Sequence, residues 1–189
     1  DEEVKTMDVM DVANFFVDTT NRSNIDEGEG MTNMKLNKLL FFAQAASFQR
    51  FGKPLFDAPL EAWDYGPVVS KVYHSFKKYQ RNIIDSVTQP FHWQSVEPET
   101  LKLLCDVYRA YAWDYSAIGL MRMTHQPDTP WTNAYQKSQN KVITHKSIVD
   151  WVARSPLQLD EPLLSDTVII TAELTDKGNP ILPVGWEDD

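Results

Sequence analysis

The sequence has few of the residues on which covalent or metal-based chemistry usually depends. A single cysteine, Cys105, excludes an internal disulfide and any site built from several cysteines. The seven glycines form neither a GxGxxG nor a GxxxxGK phosphate loop. The four histidines are scattered, and no two have the i, i+4 spacing of a helical metal site. We therefore expect no cofactor, no metal site and no disulfide-stabilised secreted fold.

Long apolar runs and positive charge are also scarce. No stretch of about 18 apolar residues is present, and the start, Asp1-Glu2-Glu3-Val4, lacks the basic and apolar regions of a signal peptide. With the lone cysteine, this predicts a cytoplasmic protein with no membrane partner. Eighteen basic against 27 acidic residues give a formal net charge of −9. This charge disfavours a nucleic-acid partner, because phosphate would be repelled, and favours docking to a basic protein surface.

What the sequence does contain is enough apolar material for one folded domain, with 42% hydrophobic and 12% aromatic residues in a chain of 189. The most informative stretch runs from residue 32 to 52 and predicts a helix that Thr32 or Asn33 begins and Gly52 ends. At roughly 100° per residue, its apolar side chains form two opposite stripes. Lys35 and Lys38 fall in one seam between the stripes, and Asn37 and Gln44 fall in the other. We expect this helix to be packed on both sides, the alternative being one side offered to a partner.

The rest of the chain predicts a mainly α, single compact helical domain with a small β ribbon and a mixed C-terminal extension. The ribbon signal is the alternation over residues 60–65, with a second, weaker strand near Ile83. Pro67 is expected to open a helix, because a first helical residue does not need its N–H. Predicted helices cover residues 1–20, 32–52, 67–78, 98–112, 117–123, 130–137 and 145–154. The domain is placed at 1–154 and the extension at 155–189, with a possible strand at 167–172.

One histidine is a candidate for chemistry. His125 lies in a short proline-bounded turn beside Asp128 and Trp131, so its ring can be fixed by neighbours. A hydrolase centred on His125 and Asp128 is one alternative, although no nucleophile stands out. A structural histidine that locks the turn is the other. Cys105 is predicted on the buried stripe of its helix, where a thiol is usually inert.

Four segments, taken together, resemble the SocA-like, or Panacea, antitoxin domain of bacterial and phage toxin–antitoxin pairs. Their order and spacing agree with the family from about residue 9 to residue 153, and the tail lies outside the resemblance. The segments are Asp11-Val12-Ala13-Asn14-Phe15-Phe16; Lys35 to Gln44, where Tyr often replaces Phe41 and Phe42; Leu55-Phe56 with Glu61 to Val69 and Val72-Tyr73; and Leu120, Thr124-His125 and Pro130-Trp131.

The resemblance implies a mostly helical domain without enzyme activity or cofactor. It implies the antitoxin of a type II toxin–antitoxin system, which neutralises a cognate protein toxin by direct binding. The alternative it raises is a proteolytic adaptor that delivers a toxin to an ATP-dependent protease. The charge of −9 suits a basic toxin.

The resemblance implies one set of functional residues, and the aromatic content predicts a second. The family motif is expected to determine the fold, through Lys35, Leu36, Lys38, Leu39, Leu40, Gln44, Trp63, Tyr65, Gly66, Pro67, Val68, Thr124, His125, Pro130 and Trp131. Tryptophan and tyrosine commonly anchor protein interfaces. We therefore expect partner contacts from six aromatic residues: Phe41, Phe48, Trp63, Tyr65, Trp113 and Trp131.

Overall fold

A computed structural model describes residues 6–23, 30–137 and 139–159 of the chain. Within these residues the fold is mainly helical, with a small antiparallel sheet, as the sequence predicts. The helices are α1 (Val9–Arg22), α2 (Asn33–Phe51), α3 (Ser70–Ser75), α4 (Pro98–Val107), α5 (Ala117–Thr124), α6 (Pro130–Ala134) and α7 (His145–Arg154). The strands are β1 (Leu60–Trp63), β2 (Gly66–Val68) and β3 (Lys141–Ile143). The proposed extension after residue 159, including the possible strand at 167–172, lies outside the described residues.

Helix α2 runs through the centre of the domain and packs against α1, α4, α5, α7 and β2. Its ends are those expected from the sequence. Thr32 accepts a hydrogen bond from the Lys35 N–H at its start, and Gly52 ends it in the left-handed conformation, with φ 66°. Every residue from Lys35 to Phe48 is buried. The prediction that this helix is packed on both sides is therefore confirmed.

The sheet is a hairpin of β1 and β2 with β3 added to the other edge of β1, in the order β2-β1-β3. This corrects the expectation that Pro67 opens a helix, since Pro67 lies in β2 opposite Ala62 and the helix begins only at Ser70. Proline lacks the N–H that a central strand needs, but it is tolerated here because β2 is an edge strand. Strand β3 was not predicted from the sequence.

Two further predictions need adjustment. The helix expected over residues 98–112 is α4 followed by a wider π-type segment, Tyr108–Trp113, and Cys105 on α4 is half-buried rather than buried. The helix expected over 130–137 ends at Ala134. Helices α5 and α7 begin as expected, with Ser116 and Thr144 as their N-terminal caps. None of the helices in the described ranges is both long and apolar enough to cross a bilayer.

Candidate functional site

Several motif residues that are distant in sequence meet around Lys38 on α2. The Lys38 side chain is only 1% exposed, and its Nζ donates a hydrogen bond to the Pro67 carbonyl oxygen at 3.0 Å. Within the described part of the chain, no carboxylate forms an ion pair with this amine. Burial lowers the pKa of Lys38 to about 7, because the charged form loses its hydration. The site therefore contains a buried amine that is only partly protonated near neutral pH.

The β1–β2 hairpin lies directly on this lysine because Gly66 has no side chain. The φ angle of Gly66 is 103°, a conformation that residues with a Cβ rarely adopt. A Cβ at this position would lie 2.7 Å from Lys38 Cε and 3.0 Å from Thr124 Oγ1. Glycine thus allows the hairpin, α2 and the end of α5 to meet at one point.

Replacing Gly66 with alanine is expected to lower the free energy of unfolding by about 2 kcal/mol, from backbone strain and from crowding of the buried lysine. The measurement is denaturant unfolding. Gly119→Ala is the matched control, because Gly119 lies in helix α5 with an ordinary helical backbone. A Cβ at Gly119 would meet its nearest neighbour, Ser116 Oγ, at 3.4 Å. That control should be neutral or slightly stabilising. Equal effects of the two substitutions would contradict this account of Gly66.

His125 lies close to the lysine and is held by stacking. Its ring is parallel to Trp131, with 3.7 Å between the ring centres and 4° between the planes. Trp131 Nε1 donates to the Trp63 carbonyl oxygen at 2.8 Å, and Thr129 Oγ1 donates to the Thr124 carbonyl oxygen at 2.6 Å. These contacts attach the turn after α5 to the hairpin, as expected for a histidine that is fixed by its neighbours.

The His125 environment gives limited support to the hydrolase alternative. Burial lowers the pKa of His125, and the charge of nearby Lys38 lowers it further. The buried Nε2 atom has no hydrogen-bond partner among the described residues. Asp128 is exposed, and no hydrogen bond joins it to His125 in the part of the chain that the structure describes. The described residues also contain no group of three His, Cys, Asp or Glu side chains that could hold a metal ion.

A cleft of about 370 Å³ opens beside Lys38. Aromatic side chains form much of its wall, and the lining includes Asn33, Lys38, Trp63, Tyr65, Tyr73 and Gln80. Two lining residues, Gln80 and Asn140, have positive φ angles of 52° and 44° without being glycine. Clefts of this size, with apolar walls and a few polar groups, are typical ligand or anchor-residue sites.

Buried amides on α2 hold the surrounding loops in place. Gln44 is fully buried; its Oε1 accepts from the N–H groups of Leu55 and Phe56 at 2.8 and 3.2 Å, and its Nε2 donates to the Phe56 carbonyl oxygen at 2.9 Å. Asn37 Oδ1 accepts from the Val69 N–H at 2.9 Å. Gln44 and Asn37, which the sequence placed in a polar seam of α2, thus form hydrogen bonds to the backbone just before and just after the hairpin.

The remaining motif residues lie mostly in the interior. Leu36, Leu39 and Leu40 are completely buried, Lys35 and Thr124 are buried, and Pro67, Val68 and Pro130 are buried around them. Their positions are compatible with the expected role in the fold, which stays a prediction for each residue.

The six aromatic residues expected at a partner interface divide into two groups. Tyr65 and Trp113 are 71% and 63% exposed, and Trp63 is half-buried. Phe41, Phe48 and Trp131 are buried, so a partner cannot contact them while the chain keeps this fold. Phe41 and Phe48 are buried because other elements cover both apolar sides of α2. We therefore carry only Tyr65, Trp113 and Trp63 forward as surface candidates.

Sequence reasoning missed two exposed apolar residues near Trp113. Tyr115 and Ile118 are 40% and 54% exposed and follow Trp113 within five residues. The helical period could have predicted the exposure of Ile118, because the buried side of α5 contains Ala117 and Leu120 but not Ile118. We call these three exposed residues, Trp113, Tyr115 and Ile118, which lie close together in the sequence, the aromatic patch.

Comparison with known proteins identifies the class to which this fold and motif belong. The model of the family described as antitoxin SocA-like, Panacea domain, matches residues 36–132, just over half of the chain. The chain therefore belongs to this family, which confirms the resemblance seen in the sequence. Antitoxin SocA from Caulobacter vibrioides (strain NA1000 / CB15N) is 33% identical to this chain over 75 residues.

Both matches cover part of the chain. The alignment with antitoxin SocA covers 40% of this chain and 38% of that relative, well short of its full length. No solved structure matches the chain. Lys38, Trp63, Gly66, His125 and Trp131 all lie within the residues that the family model covers.

Proposed function

We propose that this protein is the antitoxin of a type II toxin–antitoxin system and neutralises a cognate protein toxin by direct contact in the cytoplasm. The observation that carries the proposal is family membership, shown by the match of the family model to residues 36–132. The net charge of −9 adds support, because an acidic antitoxin and a basic toxin attract each other and associate faster.

The exposed aromatic residues supply candidate anchors for such a contact. Trp113 is 63% exposed at the end of the π-type segment, and π-type turns within helices are frequent at functional positions. Tryptophan and tyrosine contribute a large share of interface energy when a partner covers them. The aromatic patch is therefore the main surface that we assign to the toxin.

Co-expression tests the proposal. The product of the neighbouring open reading frame should arrest growth alone, should be tolerated beside this protein, and should co-purify with it. A neighbour that is harmless alone, or that remains toxic in the presence of this protein, would refute the proposal. Relief of toxicity with a shortened toxin half-life would instead identify a proteolytic adaptor.

Substitution of the aromatic patch tests the contact surface. We expect Trp113→Ala to weaken toxin binding by about tenfold or more, the usual effect of removing an interface tryptophan. Stability should change by no more than about 0.5 kcal/mol, because the side chain is largely exposed. Val149→Ala on α7, another exposed apolar residue, is the control and should leave affinity unchanged. Calorimetric titration with purified toxin provides the measurement.

A further inference from the structure

Lys38, beside the cleft, forms no ion pair with any of the described residues. A buried ammonium is strongly unfavourable unless a negative group or several acceptors surround it. The described residues give the Lys38 amine one acceptor, the Pro67 carbonyl oxygen, although a protonated amine has three hydrogens to donate. Lys38 is also one of the residues that line the cleft.

The two asparagine side chains that α2 contributes to the cleft wall are already engaged. Asn33 Nδ2 donates to the Tyr73 carbonyl oxygen at 2.9 Å. Asn37 Nδ2 donates to Asn33, and its Oδ1 accepts from the Val69 N–H. Among the α2 side chains of the cleft wall, the donor capacity that remains for a ligand is thus that of Lys38. Trp63 and Tyr73, packed edge to face at 4.9 Å, supply an apolar wall beside it.

We propose that this cleft receives a carboxylate side chain of the protein partner, which forms an ion pair with Lys38 while its apolar stem packs against Trp63 and Tyr73. The assignment rests on the proposed function, since it makes the toxin the source of the carboxylate. It extends the interface to a pocket at the hairpin, where Tyr65 is 71% exposed at the rim.

Several features favour a protein carboxylate over other anions. The cleft is open to solvent on one side, whereas small-molecule sites usually enclose about 70–90% of their ligand. Asp64 also lines the cleft and, with the net charge of −9, opposes a doubly charged phosphate more than a single carboxylate. The first residues of α2, Asn33 and Met34, line the cleft as well, and the positive end of a helix dipole favours one negative charge there.

The backbone beside the cleft is strained, as is common where a binding site is preformed. Gln80, with φ 52° and ψ −110°, ends a short 3₁₀ turn and lies in the lining. Asn140 lies in the lining with φ 44°. Residues in such conformations are stabilised by their surroundings and cluster at ligand sites. The burial that holds the pKa of Lys38 at about 7 also allows a bound carboxylate to draw a proton onto the amine.

The first test uses the purified chain and small probes. The indole N–H of Trp63 and the Cε signal of Lys38 are followed by NMR during titration with phenylacetate, phenylacetamide or phenylphosphonate. We expect phenylacetate to bind about tenfold more tightly than the neutral amide, the usual effect of a charge-assisted hydrogen bond. Lys38→Met should abolish this difference, while Lys53→Met, at an exposed lysine, should preserve it.

The outcomes of the probe titration decide the chemistry of the cleft. Equal affinity for phenylacetate and phenylacetamide would overturn the carboxylate assignment, as would tighter binding of phenylphosphonate. If Lys38→Met fails to fold, an NMR pH titration of the wild-type chain still tests the carboxylate assignment. A carboxylate in the cleft must raise the pKa of Lys38 in an NMR pH titration, and the amide must not.

The second test identifies the source of the carboxylate. Lys38→Met should weaken toxin binding by about tenfold, whereas Lys53→Met should not change it. If Lys38→Met leaves toxin affinity unchanged although the cleft binds phenylacetate, the toxin is not the source of the carboxylate. Failure of the co-expression experiment would remove the proposed function and this partner together, while the probe titration would still report on the cleft by itself.

Discussion

Replacing Gln44 with leucine is expected to destabilise the domain by about 4 kcal/mol, because three buried backbone groups then lose their hydrogen-bond partner at once. The amide accepts from Leu55 and Phe56 and donates to the Phe56 carbonyl oxygen, all inside the fold. Water cannot replace these bonds, since Gln44 and Phe56 are both completely buried. The measurement is the free energy of unfolding in denaturant.

Gln49 on the same helix provides a matched control. Its amide makes the same kind of bonds, donating to the Leu157 carbonyl oxygen at 3.1 Å and accepting from the Leu157 N–H at 2.7 Å, but it is exposed. Gln49→Leu should therefore destabilise by only about 1 kcal/mol, because hydrogen bonds made by an exposed side chain contribute little net free energy. Similar losses in the two variants would show that burial is not the cause of the Gln44 effect.

Much of the fold could be predicted because its signals are local. The cap at Thr32 and the left-handed Gly52 are properties of single residues, and the two apolar stripes of α2 follow from spacing alone. The N-terminal caps at Ser116 and Thr144 are equally local. Each feature requires only that the neighbouring residues form a helix, so none depends on knowledge of distant contacts.

The errors occurred where distant contacts decide the structure. Pro67 is a good first residue for a helix, yet its pairing with Ala62 places it in a strand. Strand β3 is only three residues long and exists because Leu60 pairs with Ile143. Propensity over so few residues is weak compared with tertiary pairing. Phe41 was expected at a partner interface because the sequence could not show which elements cover α2.

The candidate site was predictable in its residues but not in its arrangement. Helical spacing placed Lys38 in a polar seam of α2, and the proline-bounded turn singled out His125 as a constrained histidine. It could not show that the hairpin closes over Lys38, since that depends on the φ angle of Gly66 and on the approach of Thr124. The electrostatic link between Lys38 and His125 likewise arises only from the fold.

The buried lysine itself leads to the second large expected effect, a gain in stability. We expect Lys38→Met to raise the free energy of unfolding by about 3 kcal/mol at about pH 6.5, because the apolar side chain fills a similar volume without loss of hydration. The loss of the bond to the Pro67 carbonyl oxygen offsets part of this gain. A binding-site residue that lowers stability is a common consequence of function.

The pH dependence separates this explanation from general changes in packing. Burial lowers the pKa of Lys38 from 10.5 to about 7, so between these values the unfolded chain binds more protons than the folded chain. Wild-type stability from this group must then rise with pH over that window, while the variant lacks this contribution. The difference between the two proteins should therefore shrink to within about 1 kcal/mol by about pH 9.5. Lys53→Met should show no such trend, and a constant difference for Lys38→Met would mean that the amine is not desolvated in the folded chain.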